Sequence, residues 1–387
     1  MKVRLKFISP FVVGGIKRVS NYIESLDYIP GNVVRAALAR YILNNCPYYD
    51  PDEVVMVNGT YRTNWVYFKD NPKCSDCRLK MLCQKFSDIR ISFFYPKDAV
   101  VIPSTWMVCK ANPQHGFVDC LTQESRCTRC EGGRGRVEFV SGLLKDGIKY
   151  SVVKSFVTRT AINRYTGTAK DGSLYSLLAV SATSKDQNGR YEENVFEGHM
   201  WGVAPQDLKA IDELRIGKYT SVGFGRCSVI TEDERTDICD VGRVIALLED
   251  FNAKYKTHNK IKEETTRYFA IKFTSDAKLN FGHIDLDGYM TTAQYKEAWL
   301  KALGIDLDIQ VEKVYAEVFN FRGYDTSKVG EDKRESAVHM VEKGSVIVFK
   351  TSLGFDRVVE YFKSIEGFGE DTQDGFGKFE YHTGGGF

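Results

Sequence analysis

The stretch "SVGFGRCSV" at residues 221–229 returns in outline near the end of the chain as "DGFGKFEY" at residues 374–381. Each copy contains Gly-Phe-Gly, then a cation, then a β-like run. One Gly-x-Gly is weak evidence of anything. Two copies, one mid-chain and one terminal, point to a duplicated structural unit with a duplicated task. Glycine permits φ > 0 and close backbone approach, and successive N–H groups in such a loop can bind phosphate. On that reading Gly223, Gly225 and Arg226 in the first copy act like Gly367, Gly369, Gly375, Gly377 and Lys378 in "IEGFGEDTQDGFGKFEY" at 365–381. Phe224 or Phe376 can then stack on a nucleobase. The competing reading of either copy alone is a tight hairpin whose phenylalanine is core.

Working outward, the elements around each glycine loop repeat. Val3, Leu5 and Phe7 alternate in a first strand at 2–8, and "YIPGNVVRAALARYIL" follows at 28–43. There Pro30 and Gly31 stop the preceding segment and Asn32 can cap a helix. Val33, Val34, Ala37, Leu38 and Tyr41 share one face of it, with Arg35 and Arg40 off that stripe. Strand-like runs at 89–95, 151–158, 173–181 and 194–203, a helix at 205–215 and a strand at 226–230 complete the first copy. The second has a strand at 267–274, a helix near 291–303, strands at 313–321 and 345–351, a helix at 355–364 and a strand at 376–381. This pattern predicts an α+β fold with antiparallel sheets, one domain over 1–230 and another over 238–387. The charged "TEDERTD" at 231–237 reads as a connector, and "HTGGGF" at 382–387 as a flexible tail.

A chain of 387 residues can bury two or three cores, and 43% hydrophobic with 27% charged residues is an ordinary soluble composition. No apolar run approaches the roughly 18 residues of a membrane span. The opening residues lack a signal peptide's apolar core, so a cytoplasmic protein is expected. Residues 1–200 carry 28 Lys/Arg against 19 Asp/Glu, and the remainder 25 against 32, a balance of +9 followed by −7. A basic half suits a polyanion on that side.

Seven of the ten cysteines (Cys74, Cys77, Cys83, Cys109, Cys120, Cys127, Cys130) fall within 57 residues. In the cytoplasm such clustering at C-x-x-C spacing points to metal rather than disulfides. Cys74/Cys77 and Cys127/Cys130 are the natural pairs for one tetrahedral four-thiolate zinc site, with Cys83 and Cys109 as alternates that can displace a ligand or build a second site. This places a metal-pinned insertion at about 70–135 within the first domain. C-x2-C-x5-C can also hold an iron–sulfur cluster, although zinc suits an insertion without a redox partner motif.

A third stretch, "TRTAINRYTGTAKDGSLYS" at 158–176, interleaves Arg159, Arg164, Tyr165 and Lys170 with Thr and Gly in a polar loop. Arginine and tyrosine there suit single-stranded RNA, and a solvated hairpin is the competing reading. Enzyme signals are sparse: no Walker loop, G-x-S-x-G, H-E-x-x-H or dinucleotide fingerprint occurs. The first histidine is His115. His283, Asp285 and Asp287 in "GHIDLDG" can bind a cation but read more simply as a polar loop.

Together these motifs resemble one family. "YIPGNVVRAALAR" resembles the helix entry of CRISPR RAMP-superfamily proteins, Pro-Gly-Ser-x-x-(Arg or Lys)-Gly, departing from it at Asn32 and Ala36. The loops ending "GFGR" and "GFGK" resemble the RAMP glycine-rich loop, and the double GFG-x5-GFG is similar to that of the subunit capping the crRNA 5′ end. "RTAINRYTGTAKDGSLYS" and "YPKDAVVIPSTWMVCK…GFVDCL…CTRC" are similar to the type III-D member of that group. The resemblance implies two ferredoxin-like, RRM-related domains in a ribonucleoprotein of antiviral defence. It implies a non-catalytic subunit that grips the 5′ repeat-derived handle of crRNA. Through crRNA it meets target RNA, and it docks the large polymerase/cyclase-type subunit and a RAMP backbone subunit. Arg35, the loops Gly223–Arg226 and Gly367–Lys378, and Arg159, Arg164 and Tyr165 would then face RNA. The alternatives are a RAMP-type ribonuclease that processes guide RNA or cuts target RNA, with Glu24 and Asp27 as its nearby acids, and a zinc-stabilised protein-interaction module.

Overall fold

The computed structural model describes residues 1–14, 16–19, 22–185, 190–232, 240–282, 290–330 and 333–384. The expected polar site at His283, Asp285 and Asp287, most of the 231–237 connector and the last three tail residues lie outside them. The chain divides into two compact units: Met1–Asp98 with Ser151–Arg235 and Asp325–Lys333, and Ala99–Tyr150 with Thr236–Tyr324 and Arg334–Phe387. No helix among the described residues is long and apolar enough to cross a membrane.

The first unit is built on a sheet of β1 (Lys2–Phe7), β2 (Arg90–Ile91), β3 (Val195–Trp201) and β4 (Arg226–Glu232), with α1 (Gly31–Asn44) and the one-turn α2 (Pro205–Leu208). The strand order is β4-β1-β3-β2, all antiparallel. Alternation in β1 sends Val3, Leu5 and Phe7 into the core, almost wholly buried. Position 198, opposite Val3, is glycine because a Cβ there would come within 2.7 Å of the Phe94 ring. Helix α1 buries Val34, Ala37, Leu38, Ile42 and Leu43. Its N-cap is Pro30, without a side-chain cap, so Asn32 lies inside the helix rather than at its mouth. The helix expected to run to 215 stops at Leu208, because Leu214–Arg215 pairs with β4 as an extra edge strand.

The other face of β1 carries charge. Lys2 meets Glu197 at 3.0 Å, Arg4 meets Glu197 at 2.6 Å and also reaches Glu232, and Lys6 meets Glu193 at 2.8 Å. This ladder leaves no aromatic on the β1 face for base stacking. Burial pushes the Glu197 carboxyl up, but hydrogen bonds from Lys2 and Arg4 outweigh it and hold the group below its ordinary 4.5. A depressed carboxyl contributes stability above its unfolded pKa and loses it as pH falls through the folded value. Glu197→Gln is therefore expected to flatten the acid limb of the stability curve below about pH 4.5. Urea midpoints measured from pH 3 to 7 check this, and an unchanged acid slope counts against the ladder.

The second unit repeats the plan with β5 (Arg267–Phe273), β6 (Ile309–Tyr315), β7 (Val346–Thr351) and β8 (Phe379–His382). Its helices are α3 (Val241–Asn259), α4 (Thr292–Leu303) and α5 (Phe355–Lys363). The order β8-β5-β7-β6 matches that of the first sheet strand for strand. Both units run strand, helix, strand, strand, helix, strand. Even the register agrees: Phe7 lies opposite Cys227, and Phe273 opposite Phe379. Helix α4 opens on a reciprocal cap between Thr291 and Gln294 and closes on Gly304 at φ +62°.

Strand β5 is buried on both faces. Phe269, Ile271 and Phe273 join Trp299, Phe349, Val358 and Phe362, while Tyr268 and Ala270 join Phe251, Tyr255 and Leu121. The second cluster is roofed by α3, a helix that the charge run before it hides from a reading of the sequence. Asp240 caps it, and Leu248, Phe251 and Tyr255 recur at helical spacing. The Cys-rich strip, expected whole in the first domain, is divided instead. Residues 99–150 belong to the second unit because Leu121 enters its core, and the Lys272 ammonium donates to the Val101 carbonyl at 3.0 Å. Buried Asp119 Oδ2 lies 2.6 Å from His382 Nε2, which fixes the first residue of the expected tail.

Candidate nucleic-acid interface and metal centre

The two glycine loops are the same piece of backbone used twice. Tyr219 and Asp371 enter at φ +62° and +57°, a 3₁₀ turn follows, and Gly223 and Gly375 close it at φ +97° and +81°. Gly225 and Gly377 then sit at φ +75° and +67°. Gly225 donates to the Pro10 carbonyl at 2.9 Å, and Gly377 to the Asp276 carbonyl at 2.8 Å. Arg226 and Lys378 each donate their backbone N–H to a serine hydroxyl, Ser9 or Ser275, at 2.9 Å. These N–H groups are consumed by the fold and offer phosphate no nest. Phe224 and Phe376 are about 95% buried, so both are core rather than stacking surfaces. Gly375 and Gly377 are buried as well, whereas Ser221, Val222 and Gly223 are exposed. Of the two cations, Arg226 pairs with Glu213 at 2.7 Å.

The loop at 158–176 is a closed hairpin. Lys154–Arg159 pairs with Tyr175–Val180, and the pairing extends through Ile162 and Ala169 to a tip at Asn163–Thr168. The Asn163 side chain accepts the Tyr165 N–H at 3.0 Å. That turn leaves Tyr165 100% exposed, with Arg164 exposed beside it. At the base Arg159 lies over Phe224, 5.0 Å from its centroid, and Tyr175 stacks on Tyr219 at 5.9 Å. Hairpin and first glycine loop thus form one surface of the first unit.

In the second unit Cys109, His115, Cys127 and Cys130 bring their ligand atoms within 4.8 Å of one another. Cys109 Sγ lies 3.4 Å from Cys130 Sγ, and His115 Nδ1 lies 3.4 and 3.5 Å from the sulfurs of Cys127 and Cys130. A tetrahedral ion with bonds of roughly 2.3 Å needs ligand atoms about 3.8 Å apart, so this set can bind a metal. Cys109 ends the strand Trp106–Cys109, and His115 ends a 3₁₀ turn capped by Asn112. Cys127 exchanges backbone hydrogen bonds with Gly135 at 2.8 and 3.1 Å, where any Cβ would overlap the Cys130 sulfur. The Asn112 backbone draws the Cys109 thiol down to about 6, and the hydrogen bond to Cys109 pushes Cys130 up to about 12. Cys109, one of the expected alternates, and His115, outside the expected set, bring their ligand atoms to Cys127 and Cys130 in place of Cys74 and Cys77. Cys74 and Cys77 fold within the first unit.

Residues 4–228 match the family model of the RAMP superfamily. The chain belongs to the RAMP superfamily. No curated protein matches it. Among solved structures it is similar to a chain of the type III-B Cmr-beta complex, determined by cryo-EM with cognate target RNA and AMPPnP. That match has a TM-score of 0.45 and 14% identity, and covers 94% of this chain and 90% of the other. A second Cmr-beta structure with cognate target RNA gives 0.43 and 13%, at the same coverage.

Two further expectations for this RAMP chain meet its side chains directly. Arg35 donates to the carbonyls of Phe86 at 3.2 Å and Ile89 at 2.5 Å, so the guanidinium braces the approach to β2. Glu24 and Asp27 share one cation, with Lys154 Nζ at 2.8 and 2.7 Å. Burial lowers the Lys154 pKa, but these two carboxylates more than offset it and leave it raised.

Proposed function

We propose that this RAMP protein is a non-catalytic RNA-binding subunit of a type III CRISPR effector complex, of the III-D kind. In this reading it grips the 5′ repeat-derived handle of crRNA and docks the large signature subunit and a RAMP backbone subunit. The observation that carries it is the hairpin tip: Tyr165 is fully exposed beside Arg164, above a base where Arg159 lies against the glycine loop. An exposed ring beside a cation has no packing role in the unit and suits an unpaired base and its phosphates. The repeated strand order supports two ferredoxin-like domains, with RNA held by loops rather than by the sheet faces. The exposed residues before Phe224 and the cations Arg226 and Lys378 extend the contact from the glycine loops. The thiol–imidazole cluster is read as a structural zinc site.

Tyr165→Ala is expected to weaken handle binding by about 1–3 kcal/mol, roughly 5- to 140-fold in Kd, with Arg159→Ala and Arg164→Ala weakening it too. Fluorescence anisotropy with a native-handle guide RNA and a scrambled-handle control, across a salt series, provides the test. Specific recognition keeps its preference for the native handle as salt rises, whereas phosphate attraction alone collapses. Unchanged affinity in all three variants removes the hairpin from the RNA surface.

A further inference from the structure

The first unit contains three cysteines at C-x2-C-x5-C spacing, Cys74, Cys77 and Cys83, outside the thiol–imidazole cluster of the second unit. We propose that these three, with Cys46 from just beyond the end of α1, form a second structural metal site, a four-thiolate zinc centre. The assignment stands whether or not the chain binds RNA.

The placement of the four residues comes first. Cys46 N–H donates to the Leu43 carbonyl at 3.1 Å, which wraps the chain back over the helix end. Cys46 and Cys83 line one cavity, together with Ile42, Leu43 and Tyr67. The Cys83 sulfur faces the Tyr67 carbonyl at 3.8 Å. Turns wind the rest of the motif: Cys77 N–H donates to Cys74 at 3.3 Å, Lys80 to Cys77 at 3.0 Å, and Cys83 to Leu79 at 2.9 Å. This places Cys74 and Cys77 on one knuckle and Cys83 on the short helix Lys80–Gln84. Tyr48, two residues beyond Cys46, ties the two parts together: its hydroxyl accepts the Lys73 N–H at 3.4 Å, next to Cys74, and its carbonyl accepts from Lys69 at 3.0 Å.

The segment also needs such a clamp. Between residues 63 and 88 only Val66, Leu79 and Leu82 are buried. Three apolar side chains cannot hold that length of turns and one short helix. No disulfide substitutes for a core, since all four cysteines are free. Zinc supplies what is missing: four Zn–S bonds form, the thiols release their protons to solvent, and the centre becomes a dianion. Lys73, Arg78 and Lys80, interleaved with the ligands in "KCSDCRLK", offset that charge. Among the described residues no second trio of ligand atoms lies within 4.8 Å, so metal binding has to draw the four sulfurs together as it orders the segment.

The test uses the full chain, purified with zinc. Metal content is measured by mass spectrometry of the elements, and each cysteine's alkylation is mapped before and after chelation. Two zinc ions per chain are expected, with Cys46, Cys74, Cys77 and Cys83 protected until chelator is added. Cys46→Ser/Cys83→Ser should fall from two ions to one while Cys127 and Cys130 stay protected. Equal alkylation of Cys46 with and without zinc overturns the site, as does a double variant that keeps the wild-type metal count. Iron with acid-labile sulfide overturns the zinc assignment. If the double variant is insoluble, the wild-type map decides alone. Failure of the first cluster reads separately, as alkylation of Cys127 and Cys130 while these four remain protected.

Discussion

Gly377→Ala and Gly225→Ala are each expected to destabilise the protein by about 3 kcal/mol or more, whereas Gly223→Ala should cost about 1 kcal/mol. All three glycines have positive φ, so each alanine carries the conformational cost of a left-handed backbone. The surroundings separate them. A Cβ on Gly377 would overlap the carbonyl oxygen of Phe368, and one on Gly225 that of Ile216. Those same carbonyl-bearing residues donate back to the loop, Phe368 N–H to Gly377 and Ile216 N–H to Gly225, both at 2.9 Å. The methyl group therefore wedges open a hydrogen-bonded pair of loop segments next to a buried phenylalanine. Gly223 faces open space, with no atom within 4 Å of its would-be Cβ. For units near 190 residues, 3 kcal/mol corresponds to roughly 6–12 °C in Tm. Thermal and urea unfolding of the three variants in parallel provides the measurement. Equal losses in Gly377→Ala and Gly223→Ala would show that backbone strain alone acts and that the close approach does not matter. The comparison also tests the duplication, because Gly225 and Gly377 must respond alike for the same geometric reason.

The duplication was the most legible feature of the sequence, and what it meant locally was the least. Alternation of Val3, Leu5 and Phe7, the helical stripe from Val34 to Leu38 and the paired GFG runs are period signals, and periods survive folding. They carried the α+β plan and the order of elements in both copies. The purpose of the glycines was another matter. A GFG loop that cradles phosphate and a GFG loop that latches a hairpin have the same letters. Only the bonds from Gly225 to Pro10 and from Gly377 to Asp276 tell them apart. Helix α3 escapes a reading of the sequence because the charge run preceding it reads as linker, although the Asp240 cap and the spacing of Leu248, Phe251 and Tyr255 carry a helical signal. At the metal cluster, Cys127 and Cys130 are obvious as a pair, but spacing cannot say which distant residues complete a tetrahedron. The set closes because a strand ends at Cys109 and a proline-led turn carries His115 back toward it. The usable clue was Gly135, a glycine five residues past Cys130 that serves no turn of positive φ and exists to admit a sulfur.

Cys127→Ser/Cys130→Ser should abolish metal binding at the thiol–imidazole cluster and destabilise the second unit by several kcal/mol, because structural zinc binding contributes directly to folding free energy. The strip that holds the cluster has a small core of its own, Ile102, Trp106, Phe117, Val140 and Leu144, and nothing apolar beyond Cys127 until Val137 is reached. Residues 128–136 are therefore held by Cys130, by the Cys127–Gly135 pair, by the Lys110 N–H bond to the Arg136 carbonyl at 3.0 Å and by any ion the ligands share. With two sulfurs replaced, Cys109 and His115 remain, too few for a tetrahedral site. Loss should spread inward along one path. The strand Trp106–Cys109 pairs with both Phe117–Asp119 and Val137–Phe139, and Asp119 holds His382 at the end of β8. Hydrogen exchange followed by mass spectrometry reads this directly: amides of 106–139 should lose protection first, with β8 next and β1 to β4 unchanged. Chelation of the wild-type chain should reproduce the same order within the second unit. A double variant that keeps full metal content would mean that Cys127 and Cys130 are not ligands. Loss of this one ion with unchanged protection over 106–139 would mean that the apolar cluster around Trp106 holds the strip unaided, and the ion would then be a passenger rather than a staple.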